Sequence, residues 1–535
     1  MNWKKSAVFL FLVGFLINIC YPVLVKAEII ATKMEIRVGL TDLYSGKESL
    51  TIYNEILGYG YCIGNTYIQE LLLTSTNGFK FSSIDGYFIR ETKVYSSYKE
   101  AKKVADKYIE NGTKAYVGST YEHKWRVYLG NYATYSKAEE ITKTIELQDK
   151  SISLEILTGN KYRVLLEGSF GTILLDVDEQ NAYPQFRPMT FYKNGVKCID
   201  MDARVYRGRI EIGRYGKSTL TAVNILPMEE YLYSVVSSEM PSTWHEEALK
   251  AQAVCARSYA LINAGYGGVS NAKKAYNIVD TIASQVYKGF LGETVRAKNA
   301  VNDTKGEMVY YNHKVVSTYF FSTSGGSTED SENVWETKKL YLRSVPYVYE
   351  GDSSRISWQV TMTKEKISSL LLKQGKKVGL VSKLTPMGIS NSGRINTIQV
   401  DGSDRFVVLK GTTLRTVLNL YSTKFKIIEK GDIPDEVSIL SSNERKNGRI
   451  SDMYIASASG VEKASQSLEQ YIVQSVDNLW NYPRLAPTKN TELLFAGMGY
   501  GHGVGMSQYG AKAMAEAGFT YKEIIQYYFT GTHVK

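Results

Sequence analysis

Long apolar runs are almost missing from this 535-residue chain. One lies near the start, at residues 7–19, and no other segment is long enough to cross a bilayer. Cysteine is also scarce, with four residues. Cys20 falls in the apolar start, and Cys62, Cys198 and Cys255 remain, an odd number at long spacings that excludes a disulfide framework. They read as buried thiols. No Cys/His cluster has the spacing of a metal site, so no metal and no cofactor are expected. The net charge of +10 favours anionic partners, yet no dense Lys/Arg stripe and no nucleic-acid module is present. That excludes nucleic acid and leaves an anionic polymer or a membrane surface.

What is present describes a folded, multi-domain protein. Apolar residues make up 44% and charged residues 22% of a chain too long for one core. The 41 tyrosines suit strands and also suit stacking on flat ligands. Residues 1–27 carry Lys4 and Lys5, then the apolar run, then Val25-Lys26-Ala27, which is the pattern of a secretion signal; an uncleaved anchor is the alternative. Export across the cytoplasmic membrane follows from either. Cys20 follows Ile17-Asn18-Ile19, which lacks the small residue that precedes a lipidated cysteine.

The pattern predicts an α+β protein, β-rich with a helical catalytic segment. Residues 28–86 alternate as short strands. Residues 87–147 read β-α-β-β-α, with Ser97 capping a helix that presents Ala101, Val104, Ala105 and Tyr108 inward and stops at Gly112. A second helix has Ser136 as cap and Glu139 three residues on. "VYSSYKEA" echoes "GNYATYSKAEE" as a half-repeat, and the module resembles a SPOR domain. That resemblance implies binding to peptidoglycan glycan strands stripped of peptides. Residues 148–201 form a β-rich connector, and 202–535 the main domain, with a polar, serine-rich insertion near 440–470 that reads as a loop.

"SSEMPSTWHEEALKAQAVCARSYA" holds the first candidate group. Pro227 opens a helix with Glu229 and Glu230 in its first turn; it stops before Pro241, with Glu239 in its last turn. The carbonyls there and Val235, Val236, Met240 and Trp244 nearby disfavour a charged carboxylate, as a general acid requires. A solvated helix end is the plain alternative. Ser242 or Thr243 is placed to cap the next helix, whose alanines at 248, 251, 253, 256 and 260 permit close packing. Lys250 and Arg257 share a face of it, and Arg257 is open to two readings, substrate contact or a salt bridge to the preceding helix.

Two loops add to this. "FSTSGGSTEDSENVW" crowds hydroxyls, including Ser324, around Gly325-Gly326 and ends on Trp335, which suits sugar stacking. "GMGYGHGVGMSQYGAKAMAEAG" has glycine at every second position from Gly497 to Gly505, without the lysine or context of a phosphate loop. Alternate glycines there predict an extended backbone against a flat partner, with His502, Ser507 and Gln508 at its end.

Together with "LRTVLNLYSTKF", these segments resemble the SpoIID/LytB family over about 202–532. The resemblance implies action on peptidoglycan. SpoIID-type members are lytic transglycosylases that prefer peptide-free strands, and LytB-type members enhance a cell-wall amidase. The family's catalytic Glu corresponds to Glu239. One carboxylate then serves as acid at the glycosidic oxygen and as base at the C6 hydroxyl, giving 1,6-anhydro-MurNAc, unlike a two-carboxylate glycosidase. Arg257, Ser324, His502, Ser507 and Gln508 are the candidates for glycan binding. The expected partners are glycan strands and, in the alternative reading, an amidase. Some members bind zinc through His and Cys in a segment that here reads "DTIASQVYKG"; Ala283 and Ser284 stand in those places, and no zinc is expected.

Overall fold

The computed structural model of the chain describes residues 34–535 except 64–65, 121–123, 160, 178–182, 193–194, 264–274, 347–349, 351–355, 430–435, 441–444, 450–453, 458–459, 464–469, 475–478 and 484–489. The N-terminal leader therefore lies outside the described residues. Among those residues, no helix is long and apolar enough to cross a membrane. The chain is α+β and strand-rich, and nearly all strand pairs are antiparallel. It divides into two compact units, Met1–Thr243 with Ala256–Met308, and Trp244–Cys255 with Val309–Lys535.

The first unit is built on two eight-stranded sheets. One contains Glu35–Gly39, Leu220–Pro227, Arg209–Gly213, Gln185–Pro188, Ile56–Ile63 and Thr66–Thr74 in that spatial order. Every residue of Leu220–Leu226 is buried, as a central strand covered on both faces must be.

The second sheet contains a split β-α-β unit. Its strands lie in the order Leu154–Leu157, Tyr87–Glu91, Trp125–Tyr132, Ala115–Thr120. Helix α1 (Tyr98–Glu110) is capped by Ser97, whose hydroxyl accepts from the Glu100 amide; Ala101 and Ala105 are buried, and Gly112 follows at φ +80°. Helix α2 (Tyr135–Gln148) is capped by Thr134, not Ser136; Thr134 has the extended backbone a cap needs and accepts from Lys137. The sheet continues beyond the unit. Ala115–Thr120 pairs in parallel with Gly171–Asp176, and Val164–Gly168, Phe79–Ser83 and Ser49–Ile52 follow. Rings from the two sheets interdigitate, Phe81 with Phe186 at 4.9 Å and Tyr59 with Trp125 at 5.8 Å between centroids.

In the second unit, Ser357–Thr363, Glu492–Met498 and Phe425–Ile428 form one sheet, and Val381–Ile389, Ile395–Gly402 and Phe406–Lys410 another. Trp358, Ile367, Leu371, Ile398, Leu414 and Phe495 belong to one buried cluster. Where a polar loop is expected near 440–470, the backbone forms short hairpins: Arg445–Arg449 pairs with Glu436–Leu440 just before the stretch, and Tyr454–Ser457 pairs with Gly460–Lys463.

Asp176 concentrates charge inside the first unit. It accepts from Tyr128 Oη at 2.8 Å and pairs with Arg163 Nε at 2.7 Å, and the three are buried. Asp176→Ala leaves Arg163 without its counter-charge and should cost about 3 kcal/mol. Tyr128→Phe should cost about 1 kcal/mol. Urea midpoints of the two variants test the ranking.

Candidate functional site

Helix α3 (Met228–Glu239) starts after Pro227 and ends at Glu239, with Met240 as its cap residue, as the Pro227 and Pro241 punctuation requires. Val235, Val236 and Met240 are buried, and Glu239 is partly exposed. The Glu239 carboxylate accepts the Val286 amide at 2.8 Å. Sequence reasoning missed this donor, because it comes from a segment 47 residues away.

That segment is bonded along the whole of α3. Tyr231 Oη donates to Gln285 Oε1 at 3.1 Å, Lys288 N donates to Ser234 Oγ at 3.1 Å, and Ser237 Oγ donates to the Gly292 carbonyl at 2.6 Å. Burial, then the Glu239 charge, raises the Tyr231 pKa far above the usual phenol value, so it stays a hydroxyl donor. Upstream, Asp280 accepts from the amides of Thr41 and Asp42 at 2.8 and 3.0 Å, and Ser284 Oγ accepts the Val279 amide at 3.2 Å. Ala283, at one of the two positions where some SpoIID proteins have a metal ligand, is exposed.

Helix α4 (Glu246–Asn263) begins later than Ser242 or Thr243 would allow. The His245 carbonyl accepts the amides of Ala248 and Leu249 at 3.0 and 3.3 Å, and its ring Nδ1 accepts the Glu247 amide at 3.3 Å. Residues of α4 to Cys255 fall in the second unit and those from Ala256 in the first. Ala248, Ala251, Ala253, Ala256 and Ala260 are fully buried.

Arg257 is also fully buried. Its Nε and Nη2 reach the two Glu229 oxygens at 2.9 and 2.7 Å, and Nη1 and Nη2 donate to the carbonyls of Glu307 and Val301. Of its two readings, the salt bridge to the preceding helix is the one present. A guanidinium so enclosed has no edge left for a glycan.

In the second unit, Ser324 and Ser507 converge on one buried carboxylate that sequence reasoning missed, Glu350. It accepts the amides of Ser324 at 2.6 Å and Gly325 at 3.2 Å and the Ser507 hydroxyl. No motif marks Glu350. Ser507 also caps the helix Gln508–Glu516, accepting the Gly510 amide at 3.2 Å. Gln508 is buried, its amide nitrogen 3.5 Å from Gln252 Oε1. These polar groups therefore position backbone rather than line a surface.

Gly497 lies in the extended strand Glu492–Met498, but the four alternate glycines after it are not extended. Gly499, Gly501, Gly503 and Gly505 have φ of +74°, +115°, +87° and +82°. Each also lacks room for a side chain. A Cβ on Gly501 would lie 2.7 Å from Phe321 Cβ, and one on Gly503 2.5 Å from the Arg394 guanidinium carbon.

His502, between them, sits among rings, 5.0 Å from Trp335 and 5.5 Å from Phe321. Trp335 lies 4.3 Å from Tyr319 and remains 39% exposed. The Val504 amide donates to His502 Nδ1 at 3.1 Å, fixing that nitrogen as an acceptor. Burial, then Arg415 and Arg394, lowers the His502 pKa to about 3, so the ring is neutral at physiological pH.

Residues 216–311 match the family model SpoIID, described as Stage II sporulation protein. Residues 338–444 match a domain of unknown function, DUF8618. The chain is 29% identical over 324 residues to Stage II sporulation protein D of Bacillus subtilis, covering 58% of this chain and 76% of that protein. The Bacillus amyloliquefaciens protein of the same name is 28% identical over 328 residues, covering 58% of this chain and 75% of that protein. The Amidase enhancer of Bacillus subtilis is 28% identical over 315 residues, covering 56% of this chain. The chain spans 40% of the length of that enhancer.

Two outcomes follow. Arg257→Met leaves Glu229 buried and unpaired and should lower stability by about 3–5 kcal/mol. Adding Glu229→Gln should recover most of the loss in chemical denaturation, since the orphaned charge is gone. His502 takes up its proton near pH 6.5 when unfolded but only near 3 when folded. The unfolded chain therefore binds more protons between those values, and stability must fall as pH drops through that window. His502→Gln should flatten this part of a melting-temperature profile.

Proposed function

We propose that this protein remodels bacterial peptidoglycan as a lytic transglycosylase, with Glu239 as its acid and base. The observation that carries the reading is the setting of that carboxylate. It is partly exposed at the end of a buried helix and is oriented by the Val286 amide. In the first step Glu239, protonated, gives its proton to the oxygen linking MurNAc to GlcNAc, and the C1–O bond breaks. In the second, the carboxylate takes the C6 hydroxyl proton as O6 bonds to C1, closing the 1,6-anhydro ring. No water enters, and the residue ends protonated, ready for another turnover. The relatives named for sporulation and the Glu-Met-Pro sequence support this reading.

The substrate is the peptide-free glycan strand, met outside the cytoplasmic membrane after export through the N-terminal segment. The β-α-β-β-α unit serves as a SPOR-like wall-binding module. A second reading is favoured by the relative named Amidase enhancer. There the protein binds the wall and stimulates an amidase without cleaving glycan itself.

Digestion of purified peptide-free strands, followed by mass spectrometry, tests both. The transglycosylase reading expects fragments ending in 1,6-anhydro-MurNAc, with turnover reduced at least 1,000-fold in Glu239→Gln (roughly 4 kcal/mol of barrier). Undiminished product from that variant removes Glu239 from the mechanism. No cleavage, but faster amidase turnover on adding the protein, selects the enhancer.

A further inference from the structure

Residues 280–287 form a closed loop. Tyr287 N donates to the Asp280 carbonyl at 3.2 Å, and Ser284 N to the Thr281 carbonyl at 3.0 Å. The tip lies in solvent, with Ile282 91% exposed and Ala283 exposed. The start is fixed by Asp280, through its bonds to Thr41 and Asp42 and through its amide, which donates to the Gly39 carbonyl at 3.2 Å. The far end carries Val286, whose amide meets Glu239. An apolar side chain gives Val286 no polar anchor of its own, so the direction of that N–H is set by its neighbours.

Both neighbours are anchored in the interior. Gln285 is fully buried, and Tyr287 is 1% exposed. The Gln285 side chain reaches two helices at once. Its Oε1 accepts Tyr231 Oη of α3 at 3.1 Å, and its Nε2 donates to the Ala256 carbonyl of α4 at 3.3 Å. An amide buried in this way costs free energy in any pose that leaves a partner unmet, so one pose is strongly specified. Tyr287 Oη donates to Asn224 Oδ1 at 2.7 Å, and its ring lies 5.1 Å from that of Tyr231. With side chains held on both sides, the peptide unit that ends in the Val286 N–H keeps one orientation.

The oxygen it meets is Glu239 Oε1, at 2.8 Å. An N–H donor needs a lone pair there, so a protonated Glu239 carries its proton on Oε2. Without the donor, the proton distributes over both oxygens and the acid is correctly placed for only part of the time. Proton transfer is sensitive to such misplacement.

Resting on the glycan reading above, we propose that Gln285 is a positioning residue for Glu239. By bridging α3 and α4 it holds the Val286 amide on Oε1, and so keeps the transferable proton on Oε2 in the acid step and again in the base step. Gln285 itself is enclosed and meets no substrate.

The test compares the full chain with Gln285→Met, Tyr231→Phe and the double variant on peptide-free strands. Mass spectrometry follows the 1,6-anhydro ends, and circular dichroism gives the folded fraction. Gln285→Met keeps the side-chain length and removes both bonds, so kcat per folded molecule should fall at least about tenfold, with KM within about twofold. Tyr231→Phe loosens one arm and should lower kcat about threefold. Because both act through one contact, the double variant should be no slower than Gln285→Met alone. A kcat equal to the parent's in Gln285→Met, or a loss confined to melting temperature or to KM, overturns the assignment and leaves the glycan reading standing. Tyr231→Phe decides in the same way if Gln285→Met does not fold. No anhydro ends from the parent chain overturns the glycan reading and the assignment together.

Discussion

The buried pair of Glu229 and Arg257 is the interaction on which the setting of Glu239 depends. Helix α3 has 12 residues, and its N-cap, Pro227, supplies no side-chain hydrogen bond. So short a helix holds its direction through its neighbours. At its first turn, the bidentate pair ties it to the second half of α4, and two further carbonyls satisfy the guanidinium. Two isolated charges in that place would cost several kcal/mol each; matched and fully hydrogen-bonded, they act as a rigid pin. At its last turn, the Val286 amide holds the carboxylate. Between the ends, the serines and tyrosine of one face bind the segment at 285–292. The role proposed for Glu239, meeting one oxygen atom and then one hydroxyl, would need this kind of support.

The second unit uses its small polar residues for the same purpose. Its Ser- and Gly-rich loops have the composition of a binding surface, yet their hydroxyls mostly serve in internal hydrogen bonds and caps. Ser324 Oγ accepts the Gly326 amide, Ser507 caps a helix, and Ser390 and Ser392 satisfy Glu329. The glycines allow the backbone to pass over Phe321 and Arg394 where a Cβ would collide.

How much of this could be read from sequence depended on the range of the interaction. Helix α3 and the order of the β-α-β-β-α elements were legible because prolines, caps and apolar spacing are local signals. The fourth strand, Leu154–Leu157, and the extension through Gly171–Asp176 were not, because pairing depends on partners remote in the chain. Cap choice failed by two or three residues at α2 and α4, where several hydroxyls competed and backbone angle decided. The glycine run reads as extended backbone, and the left-handed dihedrals of Gly499, Gly501, Gly503 and Gly505 were not legible. Arg257 was legible as a choice between two partners, and only burial separates them. Glu350 carried no motif, since what distinguishes it is the set of donors brought to it in space.

An amidase enhancer and a transglycosylase make different demands on such a chain. A wall-binding protein needs complementary surface, and its contacts tolerate small displacements because many weak contacts share the binding energy. Proton transfer does not tolerate them, since an acid displaced by 1 Å loses most of its rate advantage. Tying both ends of a short helix, by the Glu229–Arg257 pair and by the Val286 amide at Glu239, orders groups at an entropic cost that binding alone does not require. The orientation of Glu239 is a feature that the proposed transglycosylase role would use and that wall binding alone does not require.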